Sequence, residues 1–440
     1  MLMCFWVSLV PNRSDNTCKT PTKLLIVAEH ASATFGGEAL IPYQYFKCLR
    51  EIGLDVRLLV HARTREELST AFPQDVDRLH FVSDSVINIL SYEISKWLPD
   101  RLALFTFGAI SHFETQIRQR RVGRSLIRKY ALNVIHEPIP VSPKQPSLMF
   151  GLRAPVVIGP LNGGMDYPAN YDSAGRFERS LIFLLRWSSS FWNRIIPGKR
   201  RAALILVANR RTYEALPACI KHKAIREFPE NGVDVDRFRN NANRPMHDCL
   251  RVVYLGRLVD WKRVDLLIGA CQLLLGRLNF RVHIVGDGQE RASLERQVGQ
   301  LSLASSVQFH GWLPQAAAAK LLAETDVMVL PSMRECGGAV VLEAMASGLP
   351  VIAANWGGPA DYITEDTGIL IPPGTPDSFL KELANALLWM AQNPERRVRM
   401  GQAGRARAID LYDWRKKAKV LLDIYDEVLA AANDRQPTIK

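Results

Sequence analysis

The stretch that decides the fold is VMVLPSMRECGGAVVLEAMA, residues 327–346. Its first four residues are apolar, as in a strand that is buried on both faces of a parallel sheet. The pair Gly337-Gly338 ends the strand, and a helix is predicted to begin near Ala339. Free N–H groups at a helix start, beside glycines that permit close approach, favour binding of a phosphate or diphosphate.

Two carboxylates accompany this helix start. Glu335 lies in the loop before the helix, and Glu343 lies in the second turn of the helix. Because a loop does not impose helical spacing on Glu335, both side chains can reach one ligand. The structural alternative is a solvated loop glutamate together with a carboxylate that stabilises the helix start.

Short apolar segments alternate with helical patterns on both sides of this stretch, which predicts parallel α/β organisation. The first half has strand candidates at 23–28, 55–60, 131–135, 154–159 and 204–208. The second half has candidates at 251–255, 280–285, 306–310, 326–330, 350–354 and 368–371. Helical patterns are predicted at 39–52, around 266–274 and at 414–431.

A polar segment rich in Asn, Gly and Pro separates the two halves and is typical of a linker. We therefore predict two doubly wound domains in tandem, with the ligand in the cleft between them. The predicted divisions are a poorly ordered segment 1–21, a first domain 22–235, a linker 236–249, a second domain 250–410 and a C-terminal helix and tail 411–440.

The 440 residues are too many for one ordinary core, and 48% apolar with 23% charged residues indicates a globular chain. The net charge of +12 favours an anionic partner, although no nucleic-acid-binding module is recognisable. The seven cysteines include no C-x-x-C pair, so we expect a reducing compartment. The apolar start, 1–10, lacks a basic region and is too short for a membrane span.

A second motif, GRLVDWKR, occupies residues 256–263 directly after the first predicted strand of the second half. Arg257 can grip a phosphate through two N–H groups, and Lys262 can add a compact positive charge. The alternative is a surface ion-pair cluster with Asp260 and Asp265.

Together these segments resemble the retaining glycosyltransferases of family 4. The resemblance implies the GT-B fold, in which two Rossmann-like domains face a deep cleft and a C-terminal helix returns toward the N-terminal domain. The motifs are 255–262, 285–288, 310–311, 330–332, the pair Glu335 and Glu343, 346–351 and 357–358. This resemblance covers most of the second half.

The resemblance implies roles for particular residues. Arg257 and Lys262 would hold the donor diphosphate with the helix start, which is formed by Gly337, Gly338 and Ala339. Glu335 would lie beside the donor sugar, and Glu343 would bind the ribose. Gly337 departs from the family, which usually has an aromatic residue or Cys there. The sequence therefore leaves the shape of the sugar pocket undetermined.

The first half resembles the family more loosely. The stretch FGGE, with Gly36 and Gly37, is similar to its glycine loop. The stretch NVIHEP, 133–138, is similar to the segment that carries a histidine near the reacting centre, which implies a catalytic role for His136 alongside Glu335. The alternative for His136 is a hydrogen-bonded residue at a strand end.

The resemblance implies no metal and no cofactor, since the nucleotide sugar is a co-substrate. The Asp234-Val-Asp236 sequence lies in the turn-rich linker and is interpreted as structural. Gly286-Asp-Gly288 lacks the third glycine of a dinucleotide fingerprint.

Two basic stretches, 113–131 and 176–201, remain. The second mixes Arg186, Arg194 and Arg200 with aromatic and aliphatic residues, which suggests docking on an anionic membrane surface. A half-buried helix explains the pattern equally well. We expect a cytoplasmic protein, peripheral on the cytoplasmic membrane face if this stretch binds lipid.

The favoured function is transfer of a hexosyl group from a nucleotide-diphosphate sugar, with retention, to a glycan or lipid-linked glycan. We place this activity in bacterial-type polysaccharide or glycoconjugate synthesis. The alternatives are a non-catalytic nucleotide-sugar-binding protein of a polysaccharide assembly, or another GT-B enzyme such as a sugar-nucleotide epimerase. A nicotinamide dehydrogenase is a distant alternative.

Overall fold

A computed structural model of the protein describes residues 21–95, 109–171, 188–221, 223–238 and 248–434. The predicted poorly ordered segment 1–21 falls almost wholly outside these ranges, as do 239–247 of the predicted linker. The described chain forms two fully parallel sheets with helices on both faces, of seven and six strands.

The first sheet has the strand order β3-β2-β1-β4-β5-β6-β7. Its strands are β1 Lys23–Val27, β2 Asp55–His61, β3 Leu79–Val82, β4 Val134–Glu137, β5 Val156–Leu161, β6 Leu204–Val207 and β7 Ile225–Glu227. The helices of this half are α1 Leu40–Glu51, α2 Arg65–Ala71, α3 Val86–Ser95, α4 Ala109–Tyr130, α5 Gly198–Arg201 and α6 Arg210–Ala215. Residues 188–195 are also helical.

The second sheet has the order β10-β9-β8-β11-β12-β13. Its strands are β8 Leu250–Leu255, β9 Phe280–Val285, β10 Val307–Gly311, β11 Val327–Leu330, β12 Val351–Ala354 and β13 Gly368–Ile371. The helices are α7 Val264–Leu274, α8 Arg291–Gln300, α9 Gln315–Glu324, α10 Ala339–Ala346, α11 Gly358–Tyr362, α12 Pro376–Gln392, α13 Pro394–Arg407 and α14 Trp414–Asn433.

Burial on both faces explains why these segments form strands. In β1, Leu24 and Ile26 pack on one face with α1 and α14, whereas Leu25 and Val27 pack on the other face with α4. Every strand predicted from the sequence is present within a few residues. The edge strands β3 and β7 were not predicted, because they are short and contain polar residues.

The linker and the last helix join the two halves. Val233 and Val235, within the predicted first domain, pack in the core of the second sheet. After the second domain, α14 returns and buries Trp414 and Leu421 against the first sheet. The expectation of a C-terminal helix that returns toward the first domain is therefore confirmed.

Tyr425 anchors this returning helix to the first sheet. Its hydroxyl lies 2.7 Å from His136 Nδ1, and both side chains are fully buried. His136 Nε2 lies 2.5 Å from the carbonyl oxygen of Gly159, so Nε2 carries the proton and Nδ1 accepts from the hydroxyl.

Replacing Tyr425 with Phe is expected to lower the free energy of unfolding by about 1–3 kcal/mol, because His136 Nδ1 would be left buried without a partner. Urea unfolding of the full chain measures this, with Tyr213→Phe, at an exposed tyrosine, as the control. Equal stability of Tyr425→Phe and the parent would contradict the assignment.

Candidate active site

The point where strand order reverses in the second sheet lies between β8 and β11. In open parallel sheets, a crevice for ligands forms outside the carboxyl ends of the strands at such a point. The segments that follow these two strands are residues 256–263 and the β11–α10 loop, residues 331–338. Both motifs singled out in the sequence therefore lie at the one switch point of this sheet.

The two segments are tied together. The N–H of Met333 donates to the carbonyl of Trp261 at 2.9 Å, and Lys262 Nζ contacts Glu335 Oε2 directly. The side chains of Lys262 and Glu335 are mostly buried. The structure thus brings together two of the predicted site residues as an ion pair.

Arg257, in the same segment as Lys262, has an exposed side chain. Its carbonyl accepts a hydrogen bond of 2.9 Å from the hydroxyl of Tyr254, which holds the backbone of the segment. The ion-pair cluster considered as an alternative involves a different residue, since Arg263 forms the paired contacts of 2.7 and 2.9 Å with Asp265. Among the described residues, Arg257 has no carboxylate partner, so its guanidinium is free to meet an anion.

The β11–α10 loop ends in backbone that only glycine adopts readily. Gly338 has φ 69° and ψ 48°, the left-handed region, and immediately precedes α10 at Ala339. The N–H groups of the first turn of α10 carry the partial positive charge of a helix start. Negative charge near Lys262 and this helix start would be stabilised from two sides.

Glu343 takes a separate position, on the flank of α10 that faces α9. Its partners are the side chain of Gln315, the first residue of α9, and the charge of Arg237. Burial raises the pKa of Glu343 to about 7. Glu335 and Glu343 are therefore held by different neighbours, one toward Lys262 and the other toward the loop after β10.

The sequence left the shape of the pocket at Gly337 undetermined, and the structure shows no open space there. A Cβ atom at this position would overlap Asn231 Nδ2 and lie 2.9 Å from Glu230 Oε2. Glu230 and Asn231 come from the segment that leads out of the first domain. The space that a side chain at 337 would occupy is filled across the domain junction.

Glu230 is a buried carboxyl group that the sequence did not identify. Asn162 Nδ2 donates both to Glu230 Oε2 and, at 3.0 Å, to the carbonyl of Cys336. Burial raises the pKa of Glu230 to about 7. Lys417 of α14 donates to the carbonyls of Glu230 and Asn231. No local pattern signals this cluster, because its members come from four separate segments.

The predicted glycine loop lies at the carboxyl edge of the first sheet. Gly36 and Gly37 have φ values of 68° and 53°, and no heavy atom would lie within 4 Å of an added Cβ at either. Ser32 Oγ accepts the N–H of Phe35 at 3.0 Å and donates to Glu67 at 2.6 Å. The loop is thus anchored at its base, with its glycines open to solvent.

His136 is not placed as the resemblance implies. It is fully buried, stacks on Tyr45, and uses both ring nitrogens for Gly159 and Tyr425. Burial lowers the pKa of His136 to about 4, so the ring is neutral. In this structure it is the hydrogen-bonded strand residue of the alternative interpretation, and neither nitrogen is available to a substrate.

The two carboxyl edges meet through residues 162–171, which follow β5. This segment contacts the loops of the second domain repeatedly. The contacts join Asn162 to Cys336, Asp166 to Trp356, Tyr167 to Arg334, Asn170 to Gly374 and Tyr171 to Arg263. The residues after β11 therefore face the first domain.

The Asp234-Val-Asp236 sequence forms a turn. Asp234 Oδ1 accepts the N–H groups of Asp236 and Arg237, and Asp236 pairs with Arg415 at 2.8 Å. The structural interpretation of these carboxylates fits these contacts.

Two Rossmann-like domains joined edge to edge, with a returning C-terminal helix, define the GT-B class of glycosyltransferases. Solved structures of similar fold include HepE of Anabaena in complex with UDP, at TM-score 0.65 and 17% identity, which covers 92% of this chain and 100% of that one. A sucrose-phosphate synthase of Thermosynechococcus elongatus matches at TM-score 0.66 and 20% identity, and the match covers 93% of this chain and 100% of that one.

Residues 236–407 match the family described as glycosyl transferases group 1. A D-inositol 3-phosphate glycosyltransferase of Saccharomonospora viridis is 31% identical over 239 residues, 50% of this chain and 53% of that protein. The sulfoquinovosyl transferase SQD2 of Arabidopsis thaliana is 36% identical over 168 residues, 37% and 31% of the two chains. The chain thus matches about half, or less, of the length of these curated relatives.

Gly337→Ala is expected to lower the free energy of unfolding by about 1–3 kcal/mol, because the new methyl group overlaps Asn231. Asn231→Ala removes the overlapping amide, so the double variant should recover part of that loss. Urea unfolding of the four proteins gives the coupling energy. Gly299→Ala, where an added Cβ meets nothing within 4 Å, is the control, and strictly additive losses would contradict the packing.

Proposed function

We propose that this protein is a retaining family 4 glycosyltransferase that moves a hexosyl group from a nucleotide-diphosphate sugar to a hydroxyl acceptor. The observation that carries the proposal is the contact of Lys262 with Glu335 at the switch point of a group 1 glycosyltransferase domain. The contact supports the proposal because Lys262 would bind phosphate next to Glu335, which would bind sugar hydroxyl groups.

The diphosphate would bind between Arg257, Lys262 and the helix start at Gly337, Gly338 and Ala339. Negative charge grows on the diphosphate as the glycosidic bond breaks, so preorganised cations and N–H groups there lower the barrier. Support for a nucleoside diphosphate comes from HepE of similar fold, whose structures are in complex with UDP and with UDP-glucose. Glu343 would accept hydrogen bonds from the ribose, and no metal or other cofactor is proposed.

The acceptor is proposed to be a glycan or lipid-linked glycan, in bacterial-type polysaccharide or glycoconjugate synthesis. Partial relatives act, by their names, on small polyols and lipids, among them the D-inositol 3-phosphate glycosyltransferase and a phosphatidylinositol monomannoside mannosyltransferase of Corynebacterium glutamicum. These names support a hydroxyl-bearing acceptor.

The experiment that tests this function combines binding and turnover. Thermal shifts with UDP, GDP, ADP and their sugars identify the donor class, since a bound ligand stabilises the folded state. Release of nucleoside diphosphate is then measured with and without acceptors. Acceptor-dependent release supports transfer. Tight binding without release from any sugar nucleotide would favour a non-catalytic protein, and conversion of the sugar nucleotide without release would favour an epimerase.

Lys262→Ala and Glu343→Ala are each expected to lower turnover by at least about a hundredfold, since Lys262 would stabilise the departing diphosphate and Glu343 would hold the ribose. Turnover of the identified donor and circular dichroism of the folded chain are compared with those of Lys320→Ala and Glu382→Ala, at exposed positions of the same domain. Near-normal turnover in either site variant would remove the basis of the proposed donor site.

An anionic membrane surface is proposed as a further partner, at the cytoplasmic membrane face. Within 188–201, Phe191, Trp192 and Ile195 are each about half exposed beside Arg194 and Arg200. Exposed aromatic and basic residues together are typical of interfacial contact. Arg186 and the rest of 172–187 lie outside the described residues, and none of the described helices is long and apolar enough to cross a membrane.

The double variant Arg194→Glu with Arg200→Glu is expected to reduce binding to vesicles of phosphatidylglycerol and phosphatidylcholine at low salt by at least about tenfold, because it reverses two charges. Flotation of the full chain measures binding, with Arg399→Glu, exposed on α13, as the control. Equal binding of the parent to neutral and anionic vesicles would overturn this proposal.

A further inference from the structure

The first sheet has its own switch point, between β1 and β4. Glu29 and His30 follow β1 by two and three residues and therefore lie at the carboxyl edge where a ligand crevice is expected. Both side chains are about one quarter exposed. No sequence motif marks either residue, although both lie at the edge of the sheet where His136 was expected to act.

A third residue holds Glu29 in place. His112, on α4, lies with Nδ1 at 2.6 Å from Glu29 Oε2 and is buried. On its other side, Glu29 Oε1 lies 3.5 Å from His30 Nε2. That distance is longer than an ordinary hydrogen bond, so the two polar groups face one another without satisfying each other.

The cluster of Glu29, His30 and His112 is poorly explained as one that stabilises the fold. His30 Nδ1 and His112 Nε2 are both buried atoms without a hydrogen-bond partner. Buried polar atoms left in this state cost free energy. The cluster is therefore not held together by a complete set of hydrogen bonds of its own.

The protonation states suit a hydroxyl ligand. Burial raises the pKa of Glu29, but the hydrogen bond from His112 and the charges of His112, His30 and Arg63 outweigh it, so the pKa lies below its ordinary value. Burial lowers the pKa of His30. At neutral pH, Glu29 is an ionised acceptor and His30 is a neutral ring with one N–H.

A chain of contacts connects this cluster to the proposed donor site. The ring of Phe35 in the glycine loop meets His30 edge to face at 6.2 Å. Further along the loop, Glu38 accepts the N–H of Val141 at 3.4 Å, and the carbonyl of Val141 accepts the N–H of Asn162 at 2.7 Å. Asn162 in turn donates to the β11–α10 loop.

We propose that Glu29 and His30 bind the attacking hydroxyl of a sugar or polyol acceptor, with His112 as the residue that positions Glu29. The proposal rests on the proposed function. The hydroxyl donates to Glu29 Oε1 and accepts from the N–H of His30, so that it bridges the 3.5 Å gap. Glu29 and His30 thus touch the substrate, whereas His112 acts through Glu29.

The hydroxyl oxygen forms a bond to the anomeric carbon while the bond from that carbon to the diphosphate oxygen breaks. The diphosphate leaves with the electron pair of that bond and takes up the hydroxyl proton. Glu29 and His30 end the step in the protonation states in which they began. They orient the oxygen lone pair and lower the entropy cost of the encounter.

The test uses the full chain, UDP-glucose and GDP-mannose as donors, and water, octyl β-glucoside, octyl α-mannoside and myo-inositol 3-phosphate as acceptors. Glu29→Ala and His30→Ala should each lower kcat/KM for the acceptor that the parent uses by about tenfold to a hundredfold. Glu29→Gln, which keeps an oxygen acceptor, should retain more activity than Glu29→Ala. His112→Asn keeps a hydrogen-bond donor near Glu29 Oε2, so its kcat/KM for the acceptor should be higher than that of His112→Ala.

Thermal shifts with UDP or GDP should remain as in the parent for all these variants, since the donor site lies in the other domain. His80→Gln, a half-buried histidine of β3 in the same sheet, is the control and should leave transfer unchanged. If the parent transfers sugar and the Ala variants transfer it equally well, this inference is wrong while the proposed function stands. If the parent binds nucleotide but transfers to none of these acceptors, the proposed function fails and the inference fails with it.

Discussion

Two glycine pairs, Gly337-Gly338 and Gly357-Gly358, let backbone segments approach closely at the carboxyl edge of the second sheet. This close approach controls the geometry of that edge. The N–H of Gly358 donates to the carbonyl of Glu335 at 2.7 Å, and an added Cβ at Gly358 would overlap the carbonyl of Gly337. Gly357 is equally restricted, with Met165 of the first domain 2.6 Å from the position of an added Cβ. Only backbone without side chains lets these layers stack, and the stacking fixes the backbone of Glu335.

The same constraint connects the halves of the molecule. Because Gly337 has no side chain, Glu230 and Asn231 can lie against the β11–α10 loop, and Lys417 of α14 holds their carbonyls from behind. Burial disfavours the charged forms of both side chains. It raises the pKa of Glu230 to about 7 and lowers the pKa of Lys417 to about 7. The last helix thus supports the proposed donor site through the linker while its apolar face packs on the first sheet.

Prediction from the sequence succeeded where one local rule decides the outcome. Continuous apolar runs such as Val327–Leu330 indicated buried parallel strands, and the Gly337-Gly338 pair indicated where α10 begins. The sequence did not predict the pairing of Arg263 with Asp265 or the buried position of His136. A position at a strand end does not indicate the direction in which a side chain points. His136 of β4 and Tyr425 of α14 are 289 residues apart in the chain, and only their contact shows that the imidazole is buried.

The sequence by itself determined the parallel strands, the C-terminal helix and the two segments proposed to bind phosphate, because periodicity, glycine placement and charge act over a few residues. The tertiary structure alone decided which polar side chains meet: Lys262 with Glu335, Glu343 with Gln315, and Glu29 with His112 and His30. These contacts depend on strand order and on the junction between the domains. Both are set by the packing of segments that are distant in the chain, and no local pattern records it.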